Sequence, residues 1–462
     1  MKLTLLGGGG FRVPLIFKAL MRDGPAGLVK ELRLYDTDQR RIRAIATVLA
    51  ELSEGAPWAP KVVVAESIQQ ALAGTDFIFS AIRVGGTAGR AHDERIALSH
   101  DVIGQETVGA GGISYALRGI PVALELVEQI QRHAPQAWVI NFTNPAGIIT
   151  EVMRRGLKDR VIGICDSPIG LARRIMGTLT NAGLLEQGLP TPGVGYGRVR
   201  VEYAGLNHLG WVTGLRVDGQ DVLPRLLGRP DLIESFEEGR LFGAPLVQAL
   251  GAVPNEYLHF YYYSREDLRV DKASAMTRGA FLDTQQSGFY EEAARLDTGL
   301  AQLWVRTRLE REETYMASNR EAAGSFERDA SDLETGGYDE VALAIMRAIG
   351  SDVPAELILN VANQGLFPEL DDEAVVEVPC HVDARGPKPL ANSGIPDHGR
   401  GLVVTAKYVE RCTMAAALNH SRTSALLALT HHPLIDSAAV AEAILDDLIR
   451  NFPQLGYLDA AC

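Results

Sequence analysis

Four short polar clusters interrupt otherwise apolar stretches of this chain. Ile82-Arg83-Val84-Gly85-Gly86 leads into Arg90, Asp93-Glu94-Arg95 and Gly104-Gln105-Glu106-Thr107. The second cluster is Asn141-Phe142-Thr143-Asn144-Pro145, the third Gly163-Ile164-Cys165-Asp166-Ser167-Pro168, and the fourth Gly205-Leu206-Asn207-His208-Leu209. Cys165 and His208 are the natural metal pair. A thiol beside an aspartate is more polar than an ordinary buried cysteine, and His208 sits in a turn rather than on an apolar face. Taken singly, each is more often a structural core residue. Two protein ligands do not close a structural zinc site; they suit an open site completed by substrate oxygens and water. Ligand softness alone points to zinc.

A second chemistry is written at the start of the chain. Lys2-Leu3-Thr4-Leu5-Leu6 runs into Gly7-Gly8-Gly9-Gly10, followed by Phe11 and Arg12, and a later apolar run, Leu32 to Tyr35, ends on Asp36. Small residues let a backbone approach a pyrophosphate, and a helix N-terminus behind them supplies amide hydrogens and partial positive charge. Asp36 would accept from ribose hydroxyls and repel a 2′-phosphate, which favours NAD over NADP. Arg12 stands where the third glycine of the fingerprint is expected. The plain alternative is a tight turn in an ordinary α/β sheet.

These residues need strands and helices to present them. Apolar runs at 2–6, 31–35, 62–65, 76–82, 137–142 and 161–164 predict strands, and 12–22, 38–54 and 118–133 carry helical spacing. That alternation predicts an α/β fold, a Rossmann-like doubly wound parallel sheet over 1–166. The span 199–217 alternates like an antiparallel hairpin, 187–197 is a Gly- and Pro-rich loop, and 220–350 is mainly helical. Strands at 357–361 and 375–378 and helices from about 407 complete a second α+β domain over 167–462, with the site expected between the two.

Bulk properties narrow the partners. The chain has 462 residues, 46% apolar and 22% charged, with a net charge of −13. Nucleic acid and anionic membranes are therefore poor partners, and an anionic substrate needs a local basic pocket. No apolar run approaches the length of a membrane span, and the first six residues do not read as an export signal. Cysteines 165, 380, 412 and 462 show no paired spacing, as expected of reduced thiols in a cytoplasm.

The clusters together resemble the NAD- and divalent-metal-dependent glycosidases of glycoside hydrolase family 4, most of all its 6-phospho-β-glucosidases. The likeness continues through Asn255-Glu256-Tyr257-Leu258, Asn360-Val361-Ala362-Asn363, Val375-Val376-Glu377-Val378-Pro379-Cys380 and His432-Pro433-Leu434. The family implies hydrolysis of an O-glycosidic bond by transient oxidation at C3 with NAD, loss of the acidified C2 proton, elimination, water addition and reduction. It implies Cys165 and His208 as ligands, with manganese in place of zinc, and Tyr257 as the C2 base. Asp166 aligns with a leaving-group acid of α-type members; otherwise it orients Cys165 or caps a helix. Asn144, Arg90 and Arg278 correspond to contacts with the sugar and its 6-phosphate. Arg83 is assigned to the cofactor, and Arg83 and Arg95 are secondary phosphate candidates.

Asp93, Glu94 and Glu106 read as supporting acids, and Tyr261, Tyr262 and Tyr263 as core aromatics. Two departures from the family pattern, an insertion near 184–197 and Leu98-Ser99-His100-Asp101, lie where they can reshape the sugar pocket. The family also implies a homodimer or homotetramer. Competing readings are a family member acting on an unphosphorylated or α-linked sugar, an NAD-dependent 2-hydroxy-acid dehydrogenase, and a non-catalytic NAD-sensing module. The dehydrogenase would need a His–Asp base pair and a carboxylate-binding arginine.

Overall fold

In a computed structural model, which describes residues 1–190, 197–329 and 337–459, the backbone is organised around one mixed sheet. Its strands are β1 (Lys2–Leu6), β2 (Glu31–Tyr35), β3 (Lys61–Val64), β4 (Phe77–Ser80), β5 (Trp138–Asn141) and β6 (Val161–Gly163). They continue with β7 (Val199–Leu206), β8 (Leu209–Val217), β9 (Gln220–Asp221), β10 (Val253–Pro254), β11 (Ala355–Ala362), β12 (Val375–Asp383) and β13 (Gly386–Pro389). The first six run parallel in the order β3-β2-β1-β4-β5-β6. That is the order of a dinucleotide-binding sheet, with its topological switch between β1 and β4.

The central strands are continuous apolar runs because helices cover both faces. β4, Phe77-Ile78-Phe79-Ser80, is buried throughout, whereas β3 at the edge is not. The helix Val13–Arg22 follows the glycine turn with Pro14 in its first turn, and Asp38 caps the helix Gln39–Leu52 by accepting from the amides of Arg40 and Arg41. Two large cores result, one against the faces of β1, β2 and the second-half strands, the other beneath the helices Gly109–His133 and Arg400–Asn419, and a small third cluster gathers Tyr257 with Ile103, Val108, Phe260 and Met316.

Two features go beyond the pattern of the sequence. The second half does not build its own sheet: β11 pairs antiparallel with β6, and β12, β7, β8 and β10 extend from it, so the 13 described strands form one sheet. The helix Gly86–Ser99, and the first turns of Gly109–His133, escaped the periodicity reading. Arg90, Asp93 and Glu94 are buried in the first, and Gly109 to Leu117 are all buried in the second, so neither shows an apolar stripe. Part of the predicted loop 187–197, residues 191–196, lies outside the described residues. Among those described, no helix is long and apolar enough to cross a membrane.

Candidate active site

The carboxyl ends of the parallel strands open into a cavity of about 1720 Å³. Gly7, Gly10, Phe11, Arg12 and Asp36 line one end. Gly7 has φ 86°, and a Cβ there would lie 2.4 Å from the Ala81 carbonyl oxygen, so only glycine fits. Gly8 and Gly9, expected to face a cofactor, do not line the cavity. They let the turn lie on its neighbours: a Cβ would meet Leu34 Cβ at 2.8 Å or Arg41 Cβ at 2.9 Å. Asp36 accepts from the Gly9 amide at 2.9 Å and from the Asp38 amide at 3.0 Å, yet borders the cavity with acceptor sites to spare.

Three aromatic residues from the second half hold this turn by its carbonyls. Tyr290 donates to Gly9 O at 2.6 Å, Trp304 Nε1 to Phe11 O at 2.8 Å, and Tyr338 to Arg12 O at 3.2 Å. Arg12 begins the helix Val13–Arg22, with its guanidinium 5.2 Å from the Tyr338 ring centre and 3.8 Å from Asp166.

At the centre, Cys165 Sγ and His208 Nε2 stand 3.6 Å apart. Cys165 follows β6. His208 sits in the two-residue turn between β7 and β8 at φ 61°, a left-handed conformation rare for a histidine and held here by the hairpin. The tautomer of His208 follows from its neighbours. Gln105 Oε1 accepts the Thr107 hydroxyl proton at 3.0 Å, so Thr107 Oγ1, 3.0 Å from His208 Nδ1, must accept from Nδ1–H. Nε2 therefore keeps its lone pair and aims it toward Cys165. Burial pushes the His208 pKa down to about 3, so the imidazole is neutral. Burial, then Glu377 and Asp166, push the Cys165 thiol up.

Bonds of about 2.3 Å to sulfur and about 2.05 Å to nitrogen at a tetrahedral angle put two donors about 3.6 Å apart, so the pair fits one cation. Among the described residues no third His, Cys, Asp or Glu completes the set, which leaves positions open for substrate oxygens. Asp166 Oδ1 is 4.0 Å from Sγ; it occupies the N-cap position of the helix Ser167–Asn181 without a side-chain capping bond and lines the cavity.

Tyr257 stacks on His208, ring centres 3.7 Å apart and planes 7° from parallel. Its hydroxyl lies 3.3 Å from that of Tyr315, and burial, then Glu106 and Glu256, raise its pKa. Arg90 bonds Glu94 at 2.8 Å and Glu106 at 2.7 Å, and Arg83 also bonds Glu106. Against burial, which would raise it, the two arginines hold the Glu106 carboxyl down to about 2. Asp93 pairs with Arg118, and Glu94 also accepts from the Gly279 amide, consistent with supporting acids.

Arg278 lines the cavity together with Arg311, which nothing in the sequence singled out. Burial, then Arg311 and Arg90, push Arg278 down to about 9, and burial, then Arg12, push Arg311 down to about 10. Cations crowded this way would be relieved by an anion between them. Asn144 lines the cavity, and its Oδ1 accepts from the Ala146 amide, leaving the side-chain amide to donate.

Arg95 is a correction: it is exposed, donates to Ala91 O and does not line the cavity. Tyr261, Tyr262 and Tyr263 do not line it either; Tyr262 accepts from Trp211 and Tyr263 donates to Phe242 O. Leu98 does line it, so that departure from the family pattern reaches the pocket wall.

Residues 2–181 match the model of the family 4 glycosyl hydrolases, and residues 203–435 match that of the family 4 glycosyl hydrolase C-terminal domain. The chain is 30% identical over 459 residues to the probable 6-phospho-beta-glucosidase of Bacillus subtilis, covering 97% of this chain and 96% of that protein. It is also 30% identical over 464 residues to the 6-phospho-alpha-glucosidase of Leptotrichia buccalis, covering 97% of each. The 6-phospho-beta glucosidase of Thermotoga maritima, solved with manganese, NAD+ and glucose-6-phosphate, superposes with a TM-score of 0.77 at 25% identity, over 98% of this chain and 99% of that one.

Proposed function

The chain belongs to family 4 of the glycosyl hydrolases, and from this we propose that it hydrolyses 6-phospho-β-glucosides with NAD and a divalent cation, manganese first. The observation that carries the reading is the Cys165–His208 pair, 3.6 Å apart, in the cavity that also holds the glycine turn and Asp36. Held by the glycine turn and Asp36, NAD+ would supply a hydride acceptor and donor for the sugar, and a cation on Cys165 and His208 would supply Lewis-acid stabilisation of developing negative charge.

The residues divide the remaining work. Gly7 and Gly10 let the backbone approach the pyrophosphate at the start of Val13–Arg22, and Asp36 receives the ribose hydroxyls. Cys165 and His208 would hold the cation. Tyr257, stacked on His208, takes the C2 proton, and Asp166 faces the cavity as the donor to the leaving group. Arg278 and Arg311 receive the 6-phosphate, since forked guanidinium groups match phosphate oxygens, and Asn144 donates to a sugar hydroxyl. The β linkage is preferred on the Arg83-Val84-Gly85-Gly86 form of the first cluster.

A 2-hydroxy-acid dehydrogenase would need a His–Asp pair in the cavity. Among the described residues, the His100–Asp447, His259–Asp267 and His381–Asp383 pairs all lie outside its lining, and His208 is held by a threonine. Free, buried Cys165, Cys380 and Cys412 suit a reducing cytoplasm, and the family implies a homo-oligomer there.

A chromogenic 6-phospho-β-glucoside assayed with NAD+ and Mn2+ tests the reading. Turnover is expected to vanish on chelation and return with Mn2+. Absence of turnover on phosphorylated and free glycosides of both linkages overturns it.

A further inference from the structure

Two polar side chains that line the same cavity, Glu256 and Tyr315, have no part in the roles assigned so far. Glu256 is buried. Its Oε1 accepts from Ser167 Oγ at 2.7 Å and from the Tyr315 hydroxyl at 3.3 Å, while its Oε2 is buried with no hydrogen-bond partner among the described residues. The Tyr315 hydroxyl is also 3.3 Å from the Tyr257 hydroxyl. An unbroken string of oxygens therefore runs from Tyr257 through Tyr315 to Glu256. Phenols both donate and accept, so each can pass one proton on while taking another.

Packing alone does not account for this string. Tyr263 and Tyr290, which hold neighbouring segments, end on backbone carbonyls rather than on an ionisable group. Glu256 Oε1 is engaged by two hydroxyl groups. Arg174, the arginine that acts on it, is bonded through Nε and a terminal nitrogen to Glu238. Burial and the neighbouring Glu238 raise the Glu256 carboxyl above the usual range, which suits a group that must both take up and release a proton.

We infer that Tyr315 and Glu256 form a proton relay behind Tyr257 that carries the proton taken from C2 of the sugar away from the reacting carbon and returns it. The inference rests on Tyr257 being the C2 base proposed above. The C2–H bond breaks and its electron pair stays on carbon. The proton passes to Tyr257 Oη, Tyr257 passes its own proton to Tyr315 Oη, and the Tyr315 hydroxyl proton moves to the Glu256 carboxylate. Both phenols end neutral, the carboxyl ends protonated, and no oxidant or reductant enters the step. Water addition across C1 and C2 needs a proton back at C2, and the same string supplies it in reverse. Tyr315 and Glu256 are positioning residues on this account, since both act through Tyr257.

The test uses the holoenzyme with NAD+, Mn2+ and a chromogenic 6-phospho-β-glucoside carrying hydrogen or deuterium at C2. Tyr315→Phe keeps the ring and Glu256→Gln keeps the side-chain shape. Each is expected to lower kcat about 100-fold with KM within about twofold, and to enlarge the C2 isotope effect because proton removal becomes slower. The double variant should be no slower than the slower single one, as members of one relay fail together.

Melting temperature and NAD+ titration on the same preparations identify folded protein, and Tyr315→Phe removes only one oxygen should Glu256→Gln not fold. A C2 isotope effect equal to that of the unmodified enzyme in either folded variant, or losses that multiply in the double, overturns the relay. Tyr257→Phe separates the two readings. If it still exchanges C2 deuterium with water at the original rate, the base assignment falls and the relay with it. If exchange stops there while Tyr315→Phe and Glu256→Gln leave the isotope effect unchanged, the base stands and the relay falls.

Discussion

Thr107 controls which nitrogen of His208 reaches the cavity, although it does not itself line that cavity. Its single hydroxyl proton goes to Gln105 Oε1, so it can only accept from Nδ1, and the Nε2 lone pair is left for a ligand. Thr107→Val removes that acceptor while keeping the shape. Partners of this kind tune metal affinity about 10- to 100-fold. Mn2+ titration of the variant should show a weaker dissociation constant in that range, with NAD+ binding unchanged and Thr107→Ser close to the original. Equal Mn2+ affinity in Thr107→Val would show that the hairpin alone orients the ring. Thr107 was visible as part of Gly104-Gln105-Glu106-Thr107, but its role was not, because the histidine it serves is 101 residues away.

At the level of elements, the glycine turn depends on helices far along the chain. Tyr290 on Arg278–Ala293, Trp304 on Leu300–Glu313 and Tyr338 on Tyr338–Ser351 each donate to a carbonyl of the segment 9–12. Tyr290→Phe leaves the Gly9 carbonyl without its buried partner. A loss of about 1 to 3 kcal/mol in unfolding free energy is expected, together with weaker NAD+ binding, read by denaturant titration and cofactor fluorescence. An unchanged NAD+ affinity would mean the turn is rigid without its clamps. The turn was legible because strand, glycines and acid lie within 36 residues and share one local geometry. Its clamps were not, since a backbone carbonyl carries no sequence signature and any distant tyrosine could serve it.

For the molecule as a whole, acid stability should reflect the buried histidines. His432 accepts from the Gly109 amide at 3.0 Å, where the helix Gly109–His133 begins, and burial pushes its pKa down to about 4. The unfolded chain takes up this proton near pH 6.5 while the fold refuses it until about pH 4. Stability attributable to His432 therefore falls from about pH 6.5 to about pH 4 and is flat below that, a total of about 3 kcal/mol. His432→Gln, which keeps an acceptor, should narrow its stability gap to the unmodified protein as pH drops through this window. Parallel denaturation curves at pH 7 and pH 4.5 would refute the assignment.

The parallel strands, the glycine turn, Asp36 and the Cys165 and His208 clusters could be read directly, because each is set by residue type and short-range spacing. Other features required the folded chain. The sheet runs unbroken from β6 into β11, since antiparallel pairing across 197 residues has no local mark. Gly8 and Gly9 turn toward strand and helix while Gly7 and Gly10 face the cavity, because neighbouring backbone sets each approach. Helix Gly86–Ser99 hid its periodicity by burying charges against partners supplied elsewhere. Arg311 joins Arg278, and Tyr315 joins Tyr257 to Glu256, only where separate helices and turns converge. Hydrogen bonds and charge crowding act over a few ångströms of space, whatever the distance along the chain.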